Sequence, residues 1–434
     1  MTIAKTKQQE NCNDAVVEED FGQNKYDGII TLLVSIGLIA SWSATIMLAM
    51  IIGANVDDVS FEPQSKPVLY YFFHGGSIVA IIGAGVIAAI TGQYERLSKS
   101  ARIAFWVLQA TGITWAIIAY DLKDYLSWKA FGATGPIVWL SCILIFAGMN
   151  RAIWKKLDRL INLISYMTAV LALYAMAKYR VIEIRSESGP VMYVVILAWF
   201  AGWSLLTSGK AYGWRLWLRT FPFVAFTVTA IFTQTRSWVL MAILLLVTLL
   251  VVNAPSRLED ENKRFVRSKV LIALAFIVLV TGLLFQNELV RSFGMLQERL
   301  HEDTRTGQYT EFFSQVPVSD LILGRGPTGT WFFGDTDYQF FDNAFLWIAF
   351  IGGLPILISY IVLIIVPGVR VFFGGAKGND AAASVLLILW GIACLGVSTY
   401  SHPSLTPYSY FLCLLAGRCH GYLAEAREVE EAFD

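Results

Sequence analysis

Charge is what this chain has least of. Only 15% of its 434 residues are Asp, Glu, Lys or Arg, while 56% are hydrophobic; an ordinary soluble domain is about a quarter charged and half apolar. Cysteine is scarce as well. Cys12 falls in a polar N-terminal stretch, and Cys142, Cys394, Cys413 and Cys419 fall in apolar ones, so neither a disulfide framework nor a cysteine metal site is expected. There is no P-loop, no zinc HExxH and no dinucleotide fingerprint, and no metal or cofactor is expected from the motifs. A formal net charge of zero points to no nucleic-acid partner.

The apolar residues come in blocks, each about the length a helix needs to cross a bilayer. They predict an all-α polytopic membrane protein surrounded by membrane lipids, with about twelve transmembrane helices near 29–53, 67–91, 103–120, 134–149, 160–177, 189–207, 220–235, 237–253, 270–286, 341–366, 381–398 and 409–424. Residues 1–28 read as a disordered cytoplasmic tail, 29–286 as the first nine spans, 287–340 as one large extracytoplasmic loop, 341–424 as the last three spans, and 425–434 as a second cytoplasmic tail. The first span is too long for a signal-peptide core and is expected to stay attached. With the N-terminus inside, most of the 33 lysines and arginines fall in tails and inner loops, among them Arg96, Lys99, Arg102, Arg151, Lys155, Lys156 and Arg159. That bias predicts two cytoplasmic termini.

The middles of the spans hold no Asp, Glu, Lys or Arg, where ion-coupled transporters usually place them. His74 is the main exception, and reads more readily as a histidine bonded between packed helices than as a proton relay. Arg418 and His420 lie near the inner end of the last span, where snorkelling accounts for them. Gly75, Gly76, Gly83 and Gly85 on the second span suggest close helix packing. Trp128, Trp154, Trp214, Trp217 and Trp331 stand near span ends and read as interfacial anchors.

Arg236 is the one charge between Phe221 and Ala254, at the junction of two spans. A charge there is costly unless a partner needs it, which makes Arg236 a candidate phosphate ligand. If the seventh span runs from Thr220 to Thr235 it is about 24 Å long, short for a core of about 30 Å, and Arg236 is drawn into the outer boundary.

The outer loop of about 55 residues is far longer than ordinary connections. Leu289, Phe293, Leu296 and Leu300 follow helical spacing, so 288–301 reads as an amphipathic helix lying either on the membrane surface or on the rest of the loop. Asp303 or Thr304 can cap a second helix over 305–315. Arg305 then occupies a first turn, where a cation is disfavoured without an anion beside it; a phosphate, or a salt bridge to Glu302 or Asp303, satisfies it. Gly324-Arg325-Gly326 is a turn of a common kind. Asp335, Asp337, Asp342 and Asn343 follow among aromatic residues, a mixture suited to sugar hydroxyls and C–H faces, although aromatics at a membrane border also serve as anchors. Asp342-Asn343 is also a natural N-terminal cap for the tenth span.

This succession, from Arg236 through Arg305 and the Gly-x-Gly turn to Asp342-Asn343-Ala344-Phe345-Leu346 and Gly352-Gly353-Leu354-Pro355, resembles the O-antigen polymerase and ligase superfamily, which includes Wzy-type and exopolysaccharide polymerases. The likeness covers roughly 220–366. It implies a GT-C-like membrane glycosyltransferase acting on the outer face of the bacterial cytoplasmic membrane, without a metal, on an oligosaccharide carried by undecaprenyl pyrophosphate. A chain-length regulator protein is an implied partner. Arg236 and Arg305 match family arginines that hold the pyrophosphate, and a guanidinium fork suits that task. Ligases of the superfamily carry a histidine before the asparagine; Asp342 there favours a polymerase. Asp342 is the first candidate for the base, with His301, Asp335 and Asp337 as alternatives, and Arg325, Asn343, Gly324 and Gly326 complete the expected binding set. The alternatives are a ligase passing glycan to lipid A-core or protein, a transporter of a lipid-linked sugar or small anion, and a scaffold for an export complex.

Overall fold

A computed structural model of the chain describes residues 25–54, 66–121, 136–179, 190–208, 214–232, 236–252, 304–326, 329–333, 336–338, 343–397 and 404–433. The expected ninth span and the helix over 288–301 lie outside them. In chain order the helices are α1 (Asp27–Ala54), α2 (Val68–Ala88, running on past a kink at Gly92 to Arg96), α3 (Lys99–Asp121), α4 (Leu144–Met149, led by a 3₁₀ segment Pro136–Ile143), α5 (Arg151–Tyr179), α6 (Pro190–Leu206), α7 (Trp214–Phe232) and α8 (Arg236–Val252). The loop contributes α9 (Thr304–Gln315), α10 (Val318–Leu323) and a small hairpin, β1 (Trp331–Phe333) with β2 (Thr336–Tyr338). Then come α11 (Ala344–Tyr360), joined through the π-helical turn Ile361–Ile365 to α12 (Val366–Phe373), α13 (Gly378–Ile392) and α14 (Pro407–Phe433).

Among the described residues, seven stretches are long and apolar enough to cross a membrane: Asp27–Ile51, Val68–Arg96, Lys99–Ile118, Arg151–Lys178, Trp214–Phe232, Ala344–Phe373 and Gly378–Leu395. Trp139–Met149, Tyr193–Leu206 and Ser237–Leu249 are shorter apolar helices. The described residues are therefore almost wholly helical, apart from the hairpin in the loop.

The surface explains the apolar excess. Ile103, Trp106, Ile113 and Ile117 form an exposed stripe along α3, an outward apolar face of the kind lipid covers. The core instead centres on α6, which is buried on every side from Tyr193 to Leu206, as a helix apolar all round should be. Its Trp199 meets Trp238 and Trp390 edge-on at 6.3 and 5.0 Å.

Several expectations change. Gly75 and Gly76 face open space, so they do not mark a packed seam; the close approach on α2 is at Gly85, where an added Cβ would lie 2.6 Å from the Ile143 carbonyl. The tightest small-residue crossing joins α4 to α14, because a Cβ on Gly148 would strike the Leu414 carbonyl and one on Gly417 the Ile145 carbonyl. Trp214 and Trp217 are exposed as anchors should be, whereas Trp154 and Trp331 are buried. The Trp154 indole donates to the Gly148 carbonyl at 2.8 Å, which draws the ring inward. His74 is half-buried and stacks on Tyr70.

Arg418 does not snorkel. It is buried, with Nε 2.8 Å from Asp380 Oδ1 as an ion contact and its guanidinium over the Trp154 ring at 4.9 Å. Asp380 also binds Arg151 at 3.1 Å, and Arg151 reaches Glu425 at 2.7 Å. His420 is buried too, its Nε2 3.0 Å from the Leu363 carbonyl. Residues 425–433 continue α14 as helix, and Glu428 binds Arg96 at 2.9 Å. Charges at this end of the bundle thus clamp α2, α5, α13 and α14 together.

Asp380→Ala should lower the unfolding temperature in detergent far more than Glu428→Ala. The first leaves the buried Arg418 without its carboxylate and beside Arg151, which keeps only Glu425, a loss of about 3 kcal/mol or more, whereas the more exposed Arg96–Glu428 pair contributes about 1 kcal/mol at most. Equal shifts would contradict the clamp.

Candidate functional site

The site begins with a defect in α11. Gly353 has φ 81°, outside the helical region, and Pro355 follows inside the same helix. Pro355 has no N–H to give the Ile351 carbonyl, and the turn at Gly353 removes the ordinary i+4 partner of Phe350. Two carbonyls are left without helical donors in an apolar bundle, where unmet backbone groups are costly. The Gly-x-Gly turn supplies both donors. The Arg325 N–H donates to the Phe350 carbonyl at 2.7 Å and the Gly326 N–H to the Ile351 carbonyl at 2.9 Å.

This docking accounts for the glycines. Gly324 and Gly326 have φ 85° and 81°, accessible mainly to glycine. An added Cβ on Gly324 would lie 2.7 Å from the Ile351 carbonyl and the Gly352–Gly353 backbone, and one on Gly326 would lie 2.6 Å from the Trp115 ring of α3. The turn therefore joins the loop to two helices at once. Arg325, expected to bind substrate, has its Nε 3.3 Å from Asp320 Oδ2 and donates through Nη1 to the Thr330 carbonyl at 2.8 Å. Its guanidinium holds the turn closed.

A second contact fixes α9. Phe312 is fully buried and meets both Trp331 and Phe350 edge-on at 5.4 Å. The Gln315 side chain donates to the Phe332 carbonyl at 2.8 Å and accepts from the Phe332 N–H at 2.9 Å, acting as a third strand for the edge of β1. Trp331 thus faces the core and is unavailable to stack on a sugar. Phe332 is 56% exposed, and its cross-strand partner is Asp337.

The third contact concerns the expected catalytic region. Asn343 caps α11, its side-chain oxygen accepting from the Leu346 N–H at 3.1 Å. Its Nδ2 donates to the Tyr309 hydroxyl at 3.2 Å. One residue serves as cap and as tie to α9, and Arg305 stands one turn before Tyr309 on that helix. The expected helix over 305–315 is present and starts at Thr304.

Arg236 opens α8, which packs on α6, α7 and α13. The π-helical turn Ala393–Val397 that extends α13 touches both α8 and α11. The short-span argument for Arg236 does not hold. α7 has 19 residues and begins at Trp214, giving about 28 Å of helix, because Arg219 is neutralised by Asp158 at 2.8 Å and the helix extends through it. His301, Asp335 and Asp342 lie outside the described residues.

Sequence reasoning missed Tyr309, Phe312, Gln315 and Trp115. Two of these had a signal: Tyr309, Phe312 and Val316 follow i, i+3, i+7 spacing, which announces the inward face of α9, with Phe313 beside it 55% exposed; Gln315 had none. Nor had Trp115, since its partner lies far along the chain. No family model, curated protein or solved structure matches the chain.

Gly324→Ala should free the loop from the broken helix, seen as faster cleavage by an externally added protease and a lower unfolding temperature. Gly307→Ala, whose new Cβ would meet only the Phe333 ring at 3.9 Å, should behave as the parent. Equal protease resistance in the two variants would show that the turn does not hold the loop.

Proposed function

We propose that the chain is a polymerase that joins undecaprenyl-pyrophosphate-linked oligosaccharide units into a surface polysaccharide, working in the bacterial cytoplasmic membrane with both termini inside and its site on the outer face. The observation that supports this reading best is the Tyr309–Asn343 hydrogen bond. It joins the helix with Arg305 in its first turn, where the resemblance puts a pyrophosphate ligand, to the residue that directly follows Asp342, the first candidate for the base. The order of the remaining features along the chain agrees, from Arg236 to the Gly352-Gly353-Leu354-Pro355 break.

In the proposed step, a hydroxyl of one unit attacks the reducing-end anomeric carbon of another. The bond from that carbon to the pyrophosphate oxygen breaks, and the electron pair leaves with the lipid pyrophosphate. Asp342 takes the hydroxyl proton. Arg236 and Arg305 hold the pyrophosphate and stabilise the charge that builds on it as it departs. Each arginine lies in the first turn of a helix, where free backbone N–H groups add to the attraction for an anion. No step requires a metal.

The test is glycan length in a deletion strain carrying the parent chain, Arg236→Ala, Arg305→Ala or Asp342→Asn, with membrane levels matched by blot. Loss of one oxyanion-type contact should lower polymer output by about a hundredfold or more, leaving single repeat units on the lipid carrier. Full-length polymer retained on the carrier would instead indicate a ligase. Normal ladders from well-expressed variants would overturn the proposal.

A further inference from the structure

The turn that closes α11 also fixes how deep the outer loop reaches. Leu323 lies against Gly353, since a Cβ on Gly353 would come within 2.7 Å of the Leu323 backbone. About 25 Å of helix separates Gly353 from Arg370, at the charged end of the same span, at ~1.5 Å per residue. Gly326 meets Trp115, and about 20 Å of α3 separates Trp115 from Arg102 by the same rise. The hydrocarbon core of a bilayer is about 30 Å thick. Both contacts therefore lie inside it, several ångströms below the surface opposite Arg102 and Arg370.

At that depth the segment shows an apolar face to its surroundings. Val318 is 69%, Ile322 46% and Leu323 74% exposed, and Leu354 and Ile358 of α11 continue the exposed apolar surface beside them. A water-facing loop would not carry such residues together. We propose that α10 and the Gly324–Gly326 turn form a re-entrant segment whose Val318, Ile322 and Leu323 side chains lie in the hydrocarbon of the membrane leaflet.

Two further features fit lipid as the occupant. Non-helical backbone is tolerated at membrane depth only where protein satisfies it, and the Gly324, Arg325, Gly326 and Gly329 N–H groups all donate to protein carbonyls. The only charges between Phe312 and Thr330 are Asp320 and Arg325, and they pair with each other at 3.3 Å, as charges within a membrane must. The placement stands whichever substrate the site takes.

The test uses the unmodified protein in phospholipid vesicles with a diazirine on the acyl chain of a small fraction of the lipid. After illumination, Val318, Ile322 and Leu323 should carry the carbene adduct at a level comparable with Ile358, and Glu311 and Ser314 should carry none. A label on Ile358 with none over 318–323 would overturn the proposal. As an independent check, Leu323→Cys should resist a membrane-impermeant maleimide that modifies Gly307→Cys; equal modification would overturn it as well.

Discussion

Two backbone carbonyls govern the loop-bearing end of this protein. Gly353 and Pro355 interrupt α11, and in an apolar bundle the Phe350 and Ile351 carbonyls must find donors somewhere. They find them in the Arg325 and Gly326 amides, and much of the architecture of the loop follows. The turn that supplies those amides needs glycine at two positions, because a side chain on either would collide with α11 or with Trp115. Arg325 holds the turn closed through Asp320 and Thr330. The Phe312–Trp331–Phe350 cluster then fixes α9 and the hairpin over the first turns of α11. The loop is thus built onto the membrane helices as a structural part of them.

That construction separates two tasks. One group of loop residues, Gly324, Arg325, Gly326, Phe312 and Gln315, is engaged in holding the loop to the helices. Another group, Arg236, Arg305 and Asp342, belongs to the proposed chemistry. Asn343 and Tyr309 stand between the two, since their hydrogen bond ties the α9 helix to the cap of α11. A site that must hold a pyrophosphate and a sugar acceptor in register needs such a rigid frame, because misplacement by about 1 Å can cost a hundredfold in rate. The break in α11 thereby links membrane packing to the geometry of the proposed reaction.

Seven of the expected spans were legible as long apolar helices because length and apolar character are local properties of the chain, and so was α9, which begins within one residue of its expected start. Partners distant in sequence were not. Arg418 was read as snorkelling because its neighbours in the chain give no hint of Asp380, or of Arg151 beyond it; only the fold brings the three together. Trp154 and Trp331 stand where anchors usually stand, but a hydrogen bond to Gly148 and an aromatic cluster turn them inward. The Gly-x-Gly turn and the Gly352-Gly353-Leu354-Pro355 break were both visible as punctuation. That each satisfies the other could not be read from either segment, because it depends on a pairing between the loop and the membrane.

Hydrogen exchange at the Arg325 and Gly326 amides tests this pairing most directly. Donors that complete a buried helix should exchange as slowly as the neighbouring amides within α11, on the scale set by opening of the bundle. If they exchange as fast as an exposed turn while α11 stays protected, the Phe350 and Ile351 carbonyls have other partners. The loop would then not be built on the break.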